Sequence, residues 1–414
     1  MKHFLAYGNS DQVSFRHPEV RGAFDFMLVP GTIAAYYADA TAAFVLSSDL
    51  EYVIEPRTPL FQGRIPEPKA SHFALAGHMG TTVKSHMGDE SLRLPVEFSR
   101  ALFTEEVVQE LVDAVVAFQR NYGGRAPEIE SKLARYRRLL AEALRTPEAQ
   151  EPQSGVRGPS YVLAPYFAVS STDDPWWQIN LQIWEACSSL ETPSDISPVV
   201  AVGSAQTLAA TVALFPVELS PTAFFWVAGL DERTAPEREL TLLWEAVRSQ
   251  PESRHLVNLY GGFFSICLGL AGLWGFNNGL GYSESRSWPE LPSTGAAPPR
   301  YYLRELHMFV PPAVAQLIVD ADSSLACPCA VCAPGGGRTS SLVSLSYHDL
   351  KRHFVLARRW ELDLVESNGP GEIADRLEDF ASRLETLRET LPTRVRIEVG
   401  FLRRWARVLR GSGG

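Results

Sequence analysis

The sequence predicts an α/β fold: a (β/α)8 TIM-like barrel with a zinc-binding subdomain and C-terminal helices. Three observations predict it. Apolar runs of four to seven residues alternate with helical patterns along the 414-residue chain, which is how parallel βαβ units read when their strands are buried on both faces. Roughly eight such runs can be counted, as a closed barrel needs, and no G-x-G-x-x-G follows the first to favour the alternative, a doubly wound open sheet. Finally, Cys327-Pro328-Cys329-Ala330-Val331-Cys332 gathers three of the five cysteines into six residues.

The elements follow in order. Phe24 to Val29 reads as a strand ending at Pro30-Gly31, Ala43 to Leu46 as another short run, and Glu51 to Ile54 as a strand ending at Glu55-Pro56. Apolar residues at helical spacing predict a helix from about Thr104 to Tyr122, opened by Thr104-Glu105-Glu106 as a cap. A charged helix, about Pro127 to Arg145, and a polar linker, Thr146 to Gly158, complete a helical insert around 104–158. Strand signals resume at Tyr161 to Phe167, Ser197 to Val202, Ala223 to Val227, His255 to Leu259 and Leu273 to Phe276, with helices at about Pro175 to Ser188 and Pro236 to Ser249 between them. Arg300 to His307 is a further strand candidate. The barrel would span 1–326, the zinc-binding segment 327–367, and a charged helical appendage 368–410.

Composition narrows the function. An apolar content of 45% with 10% aromatics calls for a large buried core. A formal charge of −10 argues against a nonspecific nucleic-acid coat, while leaving a local basic groove open. Cys187 and Cys267 stand apart in apolar surroundings and read as buried thiols, which suits a reducing, cytoplasmic setting. No stretch is apolar enough for secretion or membrane spanning.

Three thiolates this close cannot pair among themselves without strain, but they can converge on one tetrahedral zinc, given a fourth ligand from downstream. His348 and His353 compete for that place. Ser346 reads as a helix cap, with Asp349 three residues on. In that helix Leu350, His353, Phe354, Ala357 and Leu364 share one face, which should dock inward. His348 is rotated by roughly 140° from His353 by the helical period, so His353 is preferred. Four protein ligands make a closed, structural site.

In a barrel, chemistry gathers where strands end. Glu55 and Arg57 follow one strand, Asp231 and Glu232 another, and Gly261-Gly262 a third. Asn277, Asn278, Tyr282, Glu284 and Arg286 lie in one Gly-rich segment. The bland readings are helix caps for Asp231 and Glu232, an ion pair for Glu284 and Arg286, and a tight turn for the glycines. Tyr166, with Trp176 and Trp177 nearby, would form an aromatic wall or part of the core. His72, His78 and His86 are candidates for a second metal site. Arg394, Arg396, Arg403, Arg404, Arg407 and Arg410 form a basic C-terminal patch, suited to phosphates, to an acidic protein partner, or to solvent.

The C-x-C-x-x-C cluster, followed by a histidine in a helix after a barrel-like array, resembles the tRNA-guanine transglycosylase superfamily, which includes enzymes that insert 7-deazaguanine bases into DNA. The resemblance implies zinc held by Cys327, Cys329, Cys332 and His353, and a (β/α)8 barrel up to about Val365. It implies exchange of a purine-like base at an N-glycosidic bond in a nucleic acid or nucleotide. Glu284 would be nucleophile or electrostatic stabiliser, with Glu55 or Asp231 as acid/base. Gly261, Gly262 and Tyr166 would hold the base, and Asn277, Asn278, Tyr282 and Arg286 would complete the substrate site. The family's D-S-G-G-F-Q segment is absent; Glu55-Pro56-Arg57-Thr58-Pro59-Leu60-Phe61-Gln62 is the nearest placement, and the Gly275–Arg286 region contains no Asp. A catalytically degenerate barrel that binds nucleic acid or protein, docking a partner through its basic C-terminal helix, is the alternative.

Overall fold

The structure, a computed structural model, describes residues 1–144, 157–280, 284–287, 298–334, 341–389, 391–392 and 398–411. Its centre is a curled, all-parallel sheet. In chain order its strands are β1 (Lys2–Ala6), β2 (Phe26–Pro30) and β3 (Glu51–Glu55). After a separate antiparallel ribbon of β4 (Gly63–Ile65) and β5 (Val96–Phe98) come β6 (Tyr161–Leu163), β7 (Ala168–Val169), β8 (Ile196–Ser197) and β9 (Val199–Val202). β10 (Thr222–Val227), β11 (His255–Asn258) and β12 (Gly275–Gly279) finish it. The pairing order is β7-β9-β10-β11-β12-β1-β2-β3-β6-β8. β8 and β9 are separated only by Pro198, which has no N–H for the ladder. Between β6 and β7 the backbone leaves the ladder, and side chains take over its hydrogen bonds: Phe167 exchanges two with Asn180, and the Tyr166 N–H donates to Thr58 Oγ1.

Strand alternation explains the continuous apolar runs. On β9, Val199 and Ala201 face the concave interior while Val200 and Val202 face the helices; on β10, Phe224 and Trp226 point in and Phe225 and Val227 out. Phe4, Phe26, Tyr161, Phe224 and Trp274 pack ring against ring inside, with Phe4 stacked on Phe26 at 4.6 Å.

The expected elements are mostly found, with corrections; the Tyr161–Phe167 run forms a strand only over Tyr161–Leu163, and Arg300–His307 only over Tyr301–Leu303. Ala43 to Leu46 is not a strand but lies in the helix Ala38–Ser47, where alanines favour the helix and a short apolar run does not discriminate. The opening strand is instead Lys2–Ala6. The last strand extends beyond Leu273–Phe276 to Gly279, taking in two buried asparagines. The helices Glu105–Arg120, Pro175–Ser188 and Glu237–Arg248 match their expected spans, and Thr104 caps the first. Most of the expected linker, 145–156, lies outside the described residues.

Beyond the sheet, β13 (Tyr301–Leu303) pairs antiparallel with β14 (Met308–Val310), and the helices Tyr347–Glu366, Pro370–Arg388 and Gly400–Gly411 follow. The last helix buries Phe401, Leu402, Trp405 and Leu409. Its arginines are met within the chain: Arg403 by Glu385, Arg407 by Glu237, Arg410 by Asp375 and Glu378, and Arg404 by the Arg233 carbonyl. Arg394 and Arg396 lie outside the described residues. Among the described residues, no helix is long and apolar enough to cross a membrane.

Candidate functional site

The helix Tyr347–Glu366 starts in a reciprocal capping box: Ser346 Oγ accepts from the Asp349 N–H at 3.1 Å while Asp349 Oδ2 accepts from the Ser346 N–H at 3.3 Å. From that start the period carries Leu350, His353, Phe354 and Ala357 into the interior, with Leu364 at its edge. His353 is fully buried, its ring stacked on Tyr301 at 4.2 Å. His353 Nε2 lies 2.7 Å from the Tyr302 carbonyl, which can only accept. The proton therefore sits on Nε2, and the Nδ1 lone pair is presented to Cys329 and Cys332 Sγ at 3.5 and 3.3 Å.

The ligand atoms of Cys327, Cys329, Cys332 and His353 all lie within 4.8 Å of one another, and none of the cysteines is disulfide-bonded. Hydrogen bonds with Cys327 and Cys332 hold the Cys329 thiol below its ordinary range, and those with Cys327 and Cys329 push Cys332 above. Buried sulfurs this close, with an imidazole lone pair turned to them, are a donor set for one tetrahedral metal ion. His348 is outside the cluster. His353→Ala should therefore lose the bound metal and His348→Ala should keep it, as read by metal content per chain.

This is the one such group among the described residues. The other three candidate histidines serve local structure. His72 Nδ1 accepts from the Lys69 N–H at 2.9 Å, His78 stacks on Phe118 at 4.1 Å, and His86 Nε2 meets the Glu97 carbonyl at 2.8 Å.

A second polar cluster occupies the strand ends. Glu55, the last residue of β3, is buried, and its carboxylate accepts from the Tyr166 hydroxyl at 2.6 Å, the Arg57 N–H at 3.0 Å and Arg57 Nε at 2.6 Å. To wrap its own guanidinium and N–H around Glu55, Arg57 adopts a left-handed backbone at φ 56°, an arrangement that carries strain and clusters at ligand sites. Burial, then the Glu55 charge, raises the Tyr166 phenol well above its ordinary range, so it remains a donor. Beside this group Arg286 Nη1 donates to the Tyr260 hydroxyl at 2.7 Å, with its guanidinium over the Trp226 and Tyr260 rings. No carboxylate pairs with Arg286 among the described residues.

Strand alternation separates the two asparagines. Asn277 Nδ2 donates to the Leu259 carbonyl at 2.6 Å, its Oδ1 buried without a partner. Asn278 turns to the helix side, where its Oδ1 meets His3 Nε2 at 2.8 Å; burial pushes the His3 pKa down to about 4, so the ring is neutral. Tyr282 lies outside the described residues. Trp176 and Trp177 pack on Phe167 and Trp184, on the side of the sheet opposite to Tyr166.

The remaining acidic candidates sit at the rim. Asp231 makes a local turn, accepting from the Arg233 N–H at 3.0 Å and Arg233 Nε at 3.3 Å. Glu284 is gripped by Arg358 and lies 3.5 Å from Arg233 Nη1. Glu232 is fully enclosed: its carboxylate accepts from the N–H groups of Gly262 (2.9 Å), Phe264 (2.9 Å) and Ser265 (3.0 Å), and from the Ser265 hydroxyl. A carboxylate at the start of the helix Phe263–Cys267 is favourable, and the glycines make room for it: a Cβ on Gly262 would sit 2.7 Å from Glu232 Oε2. Gly262 is thus occupied by this cradle, while the Gly261 N–H donates to the Asn277 carbonyl and its Cα has no room for a Cβ beside Ser265. Every contact to Glu232 is a donor, so Glu232→Gln turns an amide N–H₂ against one of them; a loss of about 2–3 kcal/mol is expected in urea unfolding.

Arg358, Glu361, Tyr302 and His307 complete the buried charge cluster. Glu361 accepts from Tyr302 Oη (2.7 Å), His307 Nδ1 (2.6 Å) and Arg358 Nη1 (2.6 Å). Sequence reasoning missed Arg358 and Glu361; the available signal was their spacing of four residues from Phe354 and Ala357, which the helical period already turns inward. In comparisons with known proteins, no family model and no curated protein matches this chain.

Proposed function

We propose that the curled sheet is a closed (β/α)8 barrel and that its strand-end cleft acts on the N-glycosidic bond of a purine-like base in a nucleic acid or nucleotide, as the transglycosylase resemblance implies. The β6–β8 and β7–β9 pairings support closure, with β6–β7 and β8–β9 each counted as one interrupted strand. Zinc is the ion best suited to a closed Cys3His set, and its role there is structural.

The observation that carries the reading is Glu55, a buried carboxylate at a strand end, hydrogen-bonded to Tyr166 and paired with Arg57, whose Nη2 lies 3.5 Å from the Tyr260 hydroxyl that Arg286 also holds beside Trp226. The aromatic rings offer stacking to a planar base, and Arg286 offers a cation to a phosphate. In base exchange a carboxylate attacks the anomeric carbon as the C–N bond breaks, the base leaves with the electron pair and takes up a proton, and an incoming base then displaces the carboxylate. Glu55, paired with one arginine, fills the carboxylate role better than Glu284, which is paired with two, Arg358 and Arg233. Glu284 is assigned to holding its loop, and Asp231, at the exposed rim, is the remaining acid/base candidate.

A second reading, a base-binding component without catalysis, draws on the ion pair with Arg57 that already neutralises Glu55. Release and exchange of labelled guanine or 7-deazaguanine, with tRNA, DNA and nucleotides as acceptors, tests both. Glu55→Gln should lower the rate by about 10²-fold or more in a chain that still unfolds in a single cooperative transition, its midpoint lowered by the lost Arg57 pair. Retained activity would overturn the role of Glu55. Binding of base or nucleic acid by the wild-type chain without any exchange would favour the second reading.

A further inference from the structure

We propose that Tyr302 is a positioning residue that ties the metal cluster to the Arg286 segment of the strand-end cleft. This goes beyond the proposed reaction and does not depend on it. The observation behind it is a buried ionic network that stability does not explain. Arg358 and Glu361 are fully buried, and Glu284 and His307 nearly so. Desolvating such groups costs about as much as their attraction returns, and apolar replacements of a whole buried cluster are often neutral or stabilising. What such an ion-paired and hydrogen-bonded network supplies is fixed geometry.

The geometry runs in one direction, from ligand to cleft. Tyr302 faces both ways: its carbonyl holds His353 Nε2 at 2.7 Å, and its hydroxyl donates to Glu361 at 2.7 Å. Glu361 holds Arg358 Nη1 at 2.6 Å, and the other arm of the Arg358 fork holds Glu284. Two residues further on, the Arg286 carbonyl accepts from the Gly229 N–H at 2.6 Å, and Arg286 Nη1 donates to Tyr260, whose hydroxyl lies 3.5 Å from Arg57 Nη2. The segment carrying Arg286 is therefore placed by side chains anchored on the ligand helix and on β13. With the metal gone, His353 loses the partner that fixes its Nδ1 side, the hold on Tyr302 weakens, and the far end of the network loosens at Gly229.

Hydrogen exchange of the Gly229 amide tests this on the full chain, without substrate. Tyr302→Phe removes only the hydroxyl; the carbonyl and the ring packing on Phe309 and Phe354 remain. The variant should keep its full metal content, yet exchange Gly229 about tenfold faster, the effect of one lost hydrogen bond to a charged group. Removing the metal with a chelator should speed the same amide by a similar factor while amides of β2 and β3 stay protected. Glu284→Gln, cutting the network at the cleft end, should do so with the metal retained, and it carries the test if Tyr302→Phe does not fold. Unchanged Gly229 exchange in a metal-loaded, folded variant would overturn the proposal. So would loss of protection on chelation that is uniform across the chain. Absence of base-exchange activity, by contrast, would bear on the proposed function alone.

Discussion

Cys332→Ala should purify with almost no bound metal and unfold about 10 °C or more below the wild type, because a Cys3His set contributes folding free energy directly, on the order of 10 kcal/mol in isolated zinc peptides. Cys332 is fully buried and touches both His353 and the Tyr301 hydroxyl at 3.3 Å, so its loss also leaves Tyr301 without that contact. The damage should start locally, in 298–334 and the first turns of the Tyr347–Glu366 helix, and limited proteolysis should cut there first. Metal binding needs the thiols deprotonated, so affinity should weaken as pH falls. Full metal content in the purified variant, with an unshifted melting curve, would remove the metal from the account of this fold.

Arg358→Met should cost about 3–5 kcal/mol, since it strands Glu361 and Glu284 in the interior. The pH dependence gives a second handle. Burial works against the Glu361 charge, but Arg358, His307 and Tyr302 outweigh it and hold its pKa below the ordinary carboxylate value. A depressed folded pKa contributes stability at pH above the unfolded carboxylate value, near 4.5, and that contribution is lost as pH falls through the folded value. The wild type should thus hold its advantage at neutral pH and surrender it in acid. In Arg358→Met the main cause of the depression is gone, so the gap between the two proteins should narrow as pH drops below that range. Adding Glu361→Gln and Glu284→Gln to Arg358→Met should recover most of the stability, because the charges left unpaired are then removed. Urea titrations at several pH values measure all three. A gap that stays constant into acid would mean that Glu361 is not held by Arg358.

How far the sequence reached depended on whether each residue obeyed a period. The capping box at Ser346 and the inward face of its helix were readable because amphipathic spacing survives in sequence, and they pointed to His353 over His348 before any geometry was available. Fully buried parallel strands announced themselves as apolar runs, but the same rule misplaced Ala43–Leu46, where helix and strand look alike over four residues. β12 was cut short because Asn277 and Asn278 are polar residues in a buried strand, bonded there through Asn277 Nδ2 to Leu259 and Asn278 Oδ1 to His3. Arg358 and Glu361 went unread; tertiary contacts from Tyr302, His307 and Glu284 show these helix charges to be buried. The arginines of the last helix show the reverse, since charges that looked available to a partner meet acids on neighbouring helices. Glu232 could be suspected of capping a helix, but the helix it caps is Phe263–Cys267, not the one that follows it in sequence.

The pairing of β1 with β12 sets the order of biosynthesis. His3 and Asn278, hydrogen-bonded neighbours, are 275 positions apart, and ribosomes add roughly 5–20 residues per second. One edge of Lys2–Ala6, with Phe4 and Leu5 on it, must therefore wait some tens of seconds for its mate, exposing a sticky strand to every other nascent chain nearby. Such long-range closure makes for slow refolding and a strong appetite for chaperones, so yield on dilution from denaturant should fall steeply with protein concentration and recover when a holdase is present.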